Sequence, residues 1–162
     1  MPLGSSSREQ ESVWSYPRPP RLESCQDPIQ ILFHGVLIVD TIRAFRVLET
    51  SHPPTYYLNP ADIQRQYLIP ESRTSFCEWK GIAQYYSIQV GDRLSIGAAW
   101  AYPNPTGAFA PLQDYVAFYA QKMDRCTVAG ETVTPQPGGF YGGWITSWIT
   151  GPFKGEPGTM GW

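Results

Sequence analysis

From residue 28 onward the chain alternates short apolar runs with turn residues, and few of the runs keep a helical period. "IQILFHGVLIVD" (29–40) is two such runs around His34-Gly35. A two-residue loop there pairs Phe33 with Val36 and Ile31 with Ile38, so the apolar side chains share one face. His34 then takes the positive φ of a type I′ turn, which histidine tolerates better than most residues. "TIRAFRVLET" (41–50) reads as either a strand or a helical turn. "NPADIQRQYLI" (59–69) predicts a short helix, with Asn59 as N-cap and Pro60 in the first turn. Two strands follow, at about 75–90 and 94–102. Apolar matching selects a three-residue loop that pairs Val90 with Leu94, Ile88 with Ile96, Tyr86 with Ala98 and Ile82 with Tyr102. The rival two-residue turn at Gly91-Asp92 sets Ile88 beside Ser95. "YVAFYA" (115–120) is a further strand after a helical turn at 110–115, and "CTVAGETV" (126–133) is a hairpin at Ala129-Gly130.

Many short strands, with 16 Pro and 15 Gly, predict a mostly β domain of compact antiparallel sheets with one or two short helices. Three segments are expected. Residues 1–27 form an extended N-terminal arm docked through Trp14 and Tyr16, residues 28–124 the β-rich core domain, and residues 125–162 a C-terminal hairpin followed by a Gly/Pro/aromatic strap. Aromatic residues at 14% point to packed sheets or an aromatic-lined cavity.

Charge and cysteine usage narrow the function. A net charge of −2 without a basic run argues against nucleic acid as a partner. No apolar run reaches the roughly 18 residues that a membrane span needs. "MPLGSSSREQ" lacks the apolar stretch of a secretory signal, so a cytoplasmic protein is expected. Cys25, Cys77 and Cys126 stand far apart, no CxxC is present, and the histidines are His34 and His52. That set does not make a structural zinc site, and neither a metal nor a cofactor is expected.

The candidate chemistry starts at "SFCEWKG" (75–81). On a regular strand, Phe76, Glu78 and Lys80 continue the core face of Ile82, Tyr86 and Ile88, with Cys77 and Trp79 opposite. An acid and an amine on a core face either tether the sheet's rim as an ion pair or serve as acid and base in a pocket. Cys77, with no base beside it, reads as a packing thiol. In "ETSHPPTYYLNP" (49–60) two prolines hold the chain extended and present His52, flanked by Glu49 and Tyr57. A triad of Ser51, His52 and Glu49 is discounted, because chain neighbours rarely face one another and no GxSxG is present. "GGFYGGW" (138–144) has no phosphate-loop lysine. Its glycines permit either a lid carrying Tyr141 and Trp144 or a strap packed on the sheet. The predicted site therefore places Glu78, Lys80, His52 and Tyr57 as catalytic groups. Trp100, Tyr102, Tyr141, Trp144 and Glu49 bind the ligand, in a cavity between the sheets.

In order along the chain, "ESVWSYPRPPRLE", "VLETSHPPTYYLNP", "FCEWKG", "AAWAYPNP", "YVAFYA" and "PQPGGFYGGWITSWITGPFKGEPGTMGW" together resemble the domain-of-unknown-function 427 family. The resemblance implies a fold similar to β-tent domains, two antiparallel sheets meeting at an angle. Several β-tent relatives bind zinc through paired CxxC motifs, which this chain lacks; others bind small ligands in an aromatic pocket. The family sometimes carries a nucleotidyltransferase label. That chemistry needs clustered carboxylates for two Mg²⁺ ions, whereas Asp40, Asp62, Asp92, Asp114 and Asp124 stand isolated. The expected function is a small-molecule-binding β domain, either as such or as a cofactor-independent acid/base enzyme of isomerase, cyclase, lyase or hydrolase type. The alternative is a non-catalytic interaction or scaffold module whose strap docks a partner protein or makes a homodimer.

Overall fold

The computed structural model describes residues 8–159 and 161–162, and the strands within them run in chain order as follows. β1 (Glu11–Ser12) and β2 (Arg21–Cys25) belong to the N-terminal arm. β3 (Ile29–Phe33), β4 (Val36–Thr41), β5 (Ala44–Leu48) and β6 (Thr55–Leu58) follow. β7 (Leu68–Cys77), β8 (Gly81–Val90), β9 (Arg93–Ala101) and β10 (Val116–Phe118) make the middle of the chain. β11 (Arg125–Val128), β12 (Glu131–Thr132), β13 (Thr134–Pro135), β14 (Trp144–Ile145) and β15 (Ile149–Thr150) end it. The result is the mostly β architecture expected, with two main antiparallel sheets. One has seven strands in the order β2-β5-β6-β10-β9-β8-β7, the other four in the order β12-β11-β3-β4.

Turn chemistry sets the smaller sheet. His34 and Gly35 have φ of 49° and 76°, and Ala129 and Gly130 have 51° and 82°, so both loops are the tight two-residue kind. Phe33 faces Val36, as predicted. A bulge between Ile31 and Leu32 then moves Ile31 from Ile38 to Val39. Ile38 and Val39 are consecutive and both fully buried, which a regular two-residue alternation does not allow.

The larger sheet departs further from expectation. "TIRAFRVLET" resolves as strand β5. The helix expected at 59–69 is two 3-10 turns, Pro60–Asp62 and Arg65–Tyr67. Asn59 does cap the first, accepting the Ala61 N–H at 2.9 Å. Between the turns the chain returns to bridge Ile63 to Val39, which leaves no length for a longer helix. The β8–β9 hairpin uses the two-residue turn, so Val90 meets Arg93 and Ile88 meets Ser95. A bulge between Tyr86 and Ile88 then brings Tyr86 opposite Ala99. Within it Gly97 has φ +64°, and its N–H donates to Glu71 Oε2 at 2.6 Å, an oxygen that also accepts from Ser87 Oγ at 2.6 Å. A side-chain carboxylate thus replaces a ladder partner. Leu94 and Ile96 are exposed, so maximal apolar matching was the wrong criterion there.

"SFCEWKG" is not one strand. β7 ends at Cys77, β8 starts at Gly81 opposite it, and Glu78, Trp79 and Lys80 form the connecting turn.

Apolar side chains collect on both faces of the seven-stranded sheet. Ile88, Leu58, Ala99 and Tyr56 pack against Ile29 and Phe33 of the smaller sheet. Their chain neighbours Tyr57 and Trp100 point the other way and meet Tyr102, Phe109 and Leu112. Period-two alternation therefore builds a second, smaller apolar cluster outside the main core.

The arm and the strap lock together. β1 pairs in parallel with β15. Buried Arg46 lies between Glu11, at 3.0 Å, and Glu23, and Tyr16 Oη donates to Glu11 at 2.7 Å. Tyr16 is buried, while half-exposed Trp14 donates its indole N–H to the Pro152 carbonyl. β2, on the arm side of the boundary drawn from sequence, is the edge strand of the large sheet.

Candidate functional site

The outer apolar cluster opens into a cavity of about 370 Å³. It lies on the far side of the large sheet, not between the sheets as the sequence suggested. Strands β6 and β9 form its floor, the β7–β8 turn one wall, and residues 136–142 with Lys154 of the strap another. Eight of the nine residues proposed from sequence line it: Glu49, His52, Tyr57, Glu78, Lys80, Trp100, Tyr102 and Tyr141. Trp144 does not. It is fully buried in the inter-sheet core, stacked on Tyr56 with ring centroids 5.2 Å apart, its indole N–H on the Phe118 carbonyl. One residue separates inward from outward on β14, and Trp144 falls on the core side.

The turn that replaces the expected strand separates the two charges at its ends. Lys80 is 8% exposed and folds inward, its Nζ 5.7 Å from the centre of the Tyr102 ring and 5.5 Å from that of Phe109. Glu78 is exposed at the rim. Among the described residues no carboxylate lies within 4.0 Å of Lys80, so the rim ion pair does not form. Cys77, expected on the opposite face from Glu78, lines the same cavity.

His52 is held by strap residues that sequence reasoning missed. Gly143 N–H donates to Gln136 Oε1 at 3.1 Å, which fixes the amide's orientation. Gln136 Nε2 then donates to the Lys154 carbonyl at 2.9 Å and to His52 Nδ1 at 3.1 Å. Because Nδ1 accepts, the proton of the neutral ring sits on Nε2. That nitrogen faces Glu49 Oε2 at 4.0 Å, and the same carboxylate lies 3.7 Å from Arg18 Nε. Burial pushes the imidazole down to about 4, helped by the cations Lys154, Arg18 and Lys80. Ser51, before it, has φ +73° and is fully buried. Its backbone joins arm to strap through Val13 and Lys154, so no Ser-His-Glu triad forms.

Hydroxyl groups complete the lining. Trp100 donates its indole N–H to Tyr57 Oη at 3.2 Å. Burial raises the phenols of Tyr57 and Tyr102 well above their ordinary range and also raises that of Tyr119, so all three stay protonated at neutral pH. Tyr119 packs on Trp100 at 4.6 Å and donates to the Phe140 carbonyl at 3.1 Å, tying strap to floor. At Gly142 a Cβ would fall 2.1 Å from the Trp100 ring, so the strap backbone lies directly on the indole. Gln136 and Lys154 had faint signals in the sequence, a lone amide between two prolines and the single lysine of the strap.

Among the described residues no three His, Cys, Asp or Glu side chains group to hold a metal ion, and no helix is long and apolar enough to cross a membrane. Fold and site together define an antiparallel β protein with an aromatic, lysine-bearing cavity built outside its main core. The chain belongs to the family described as Domain of unknown function (DUF427), whose profile matches residues 21–129. A search of curated proteins finds no match.

Proposed function

We propose that the protein is a small-molecule-binding β domain, with the outer cavity as its site. One observation carries the reading: Lys80 is more than nine-tenths buried among aromatic rings, and among the described residues no carboxylate lies within 4.0 Å of it. An ammonium held inward among rings, with no carboxylate beside it, offers an anionic group a place to dock. Acid/base chemistry on that ligand would draw on Glu49 as the base facing the imidazole, with His52, Lys80 and Tyr57 as donors. Binding is the better supported role, because most inward groups are protonated donors or cations. The free thiols Cys25, Cys77 and Cys126 suit a reducing cytoplasm.

Lys80→Met tests the reading by separating stability from binding. The variant is expected to be as stable as the parent, or more stable by about 1 kcal/mol, in urea denaturation. It should lose the thermal upshifts that small-molecule ligands give the parent. A loss of more than about 1 kcal/mol would mark Lys80 as a structural group and remove the support for a site.

A second reading, an interaction module that forms a homodimer, rests on exposed apolar side chains. Phe76 and Ile82 are cross-strand partners, 75% and 60% exposed. It predicts a concentration-dependent dimer in sedimentation velocity that Ile82→Asp dissociates. A parent protein that stays monomeric at every concentration retires it.

A further inference from the structure

We infer that the cavity takes a planar ring compound carrying one carboxylate, with Lys80 and Lys154 as the cations that receive it. This rests on the ligand-binding reading above and adds the chemical class. Formally the lining charges balance, Lys80 and Lys154 against Glu49 and Glu78. Their positions do not. Glu78 stands in solvent at the rim, and Glu49 is drawn to Arg18 and to the His52 Nε2–H. Neither lysine has a carboxylate within 4.0 Å among the described residues. Lys154 Nζ lies 5.8 Å from the centre of the Tyr141 ring, which meets the His52 ring edge-on at 5.1 Å. The interior thus presents two cations and several hydroxyl donors to whatever enters, and an anion is the complement.

Shape and donor type narrow the class further. The walls are rings, Trp100, Tyr102, Tyr141 and Trp79 among them, which favour a flat apolar body. A volume of about 370 Å³ sits low in the range for small-molecule pockets and suits one or two rings better than a dinucleotide. The cations are separate lysine ammonium groups. Among the described residues no arginine and no helix N-terminus lines the cavity to wrap the oxygens of a phosphate. A carboxylate, with its single charge and two oxygens, matches them.

The test uses the full chain with naphthoate, naphthamide and naphthyl phosphate, read by tryptophan fluorescence and calorimetry. Naphthoate is expected to bind at least about tenfold more tightly than naphthamide, and more tightly than the phosphate. Lys80→Met and Lys154→Met should each abolish the preference for acid over amide, while Lys80→Arg keeps most of it. Thermal melts of the three variants confirm that they are folded. Equal affinity for acid and amide overturns the anionic class and leaves the pocket standing. Tighter binding of the phosphate overturns the carboxylate assignment. If none of the three binds at millimolar concentration, the inference falls together with the reading beneath it.

Discussion

Gly155→Ala should lower the free energy of unfolding by about 4 kcal/mol and detach the C-terminal strap from the site. A Cβ at residue 155 would lie 1.9 Å from the Pro137 carbonyl oxygen and 2.7 Å from its carbon. Those are backbone atoms, so no side-chain rotation relieves the overlap. The residue also has φ +110°, a conformation that side chains other than glycine's rarely adopt. The consequence reaches the cavity by one covalent step, because the neighbouring Lys154 carbonyl accepts the Gln136 amide that holds His52. Gly158→Ala is the control. Gly158 also has positive φ, +84°, but nothing lies within 4 Å of its added carbon, and about 1 kcal/mol is expected. Urea denaturation of both variants, followed by tryptophan fluorescence, checks the contrast. Equal midpoints for Gly155→Ala and the parent would mean that strap and site are not packed in this way.

Acidification should remove roughly 3 kcal/mol of stability through His52 alone, most of it between pH 6.5 and pH 4. The folded imidazole titrates near 4, against an ordinary value of 6.5. In that interval the unfolded chain binds the proton and the folded chain does not, so stability rises with pH and falls on acidification. Below about pH 4 both states carry the proton and this contribution is flat. The groups around the ring agree in sign: Lys154, Arg18 and Lys80 oppose protonation, and Gln136 occupies Nδ1. Among the described residues Glu49, at 4.0 Å, is the carboxylate that faces the ring. Glu11, Asp62 and Glu71 are held low by their partners and also withdraw stability as pH falls. Comparing the parent with His52→Gln at each pH cancels those shared terms. Between pH 6.5 and pH 4 the parent should lose roughly 3 kcal/mol relative to His52→Gln, whose side chain takes up no proton. Parallel profiles would show that His52 is not buried in its neutral form.

How much of this was readable beforehand depended on the range of the interaction. Loops that need positive φ announce themselves locally, which is why His34-Gly35 and Ala129-Gly130 were placed correctly. Asn59 was recognised as a cap, although only 3-10 turns follow it, because the cap is local and the length of the helix is not. Bulges were not readable. Those at Ile31/Leu32 and Tyr86/Ile88 answer to burial and to the Glu71 carboxylate, which arrives from another strand. The site behaved in the same way. His52, Tyr57, Trp100 and Tyr102 stood out by residue type and come together in the fold, but Gln136 and Lys154 carried no pattern that distinguishes a strap from a lid. Trp144 shows the limit most plainly, since its type suggested a cavity wall and its side of the chain made it core.

By itself the sequence determined the β class, the tight turns at His34-Gly35 and Ala129-Gly130 and the aromatic stock from which a cavity is built, because each follows from local alternation, φ preference or composition; the family was legible separately, in the order of its motifs along the chain. Only the tertiary structure decided that the cavity lies on the outer face of the large sheet, that Lys80 turns inward while Glu78 stays in water, and that Gln136 fixes the imidazole proton. Those depend on which side of a pleat each residue falls after every bulge upstream of it, and on hydrogen bonds between segments more than eighty residues apart.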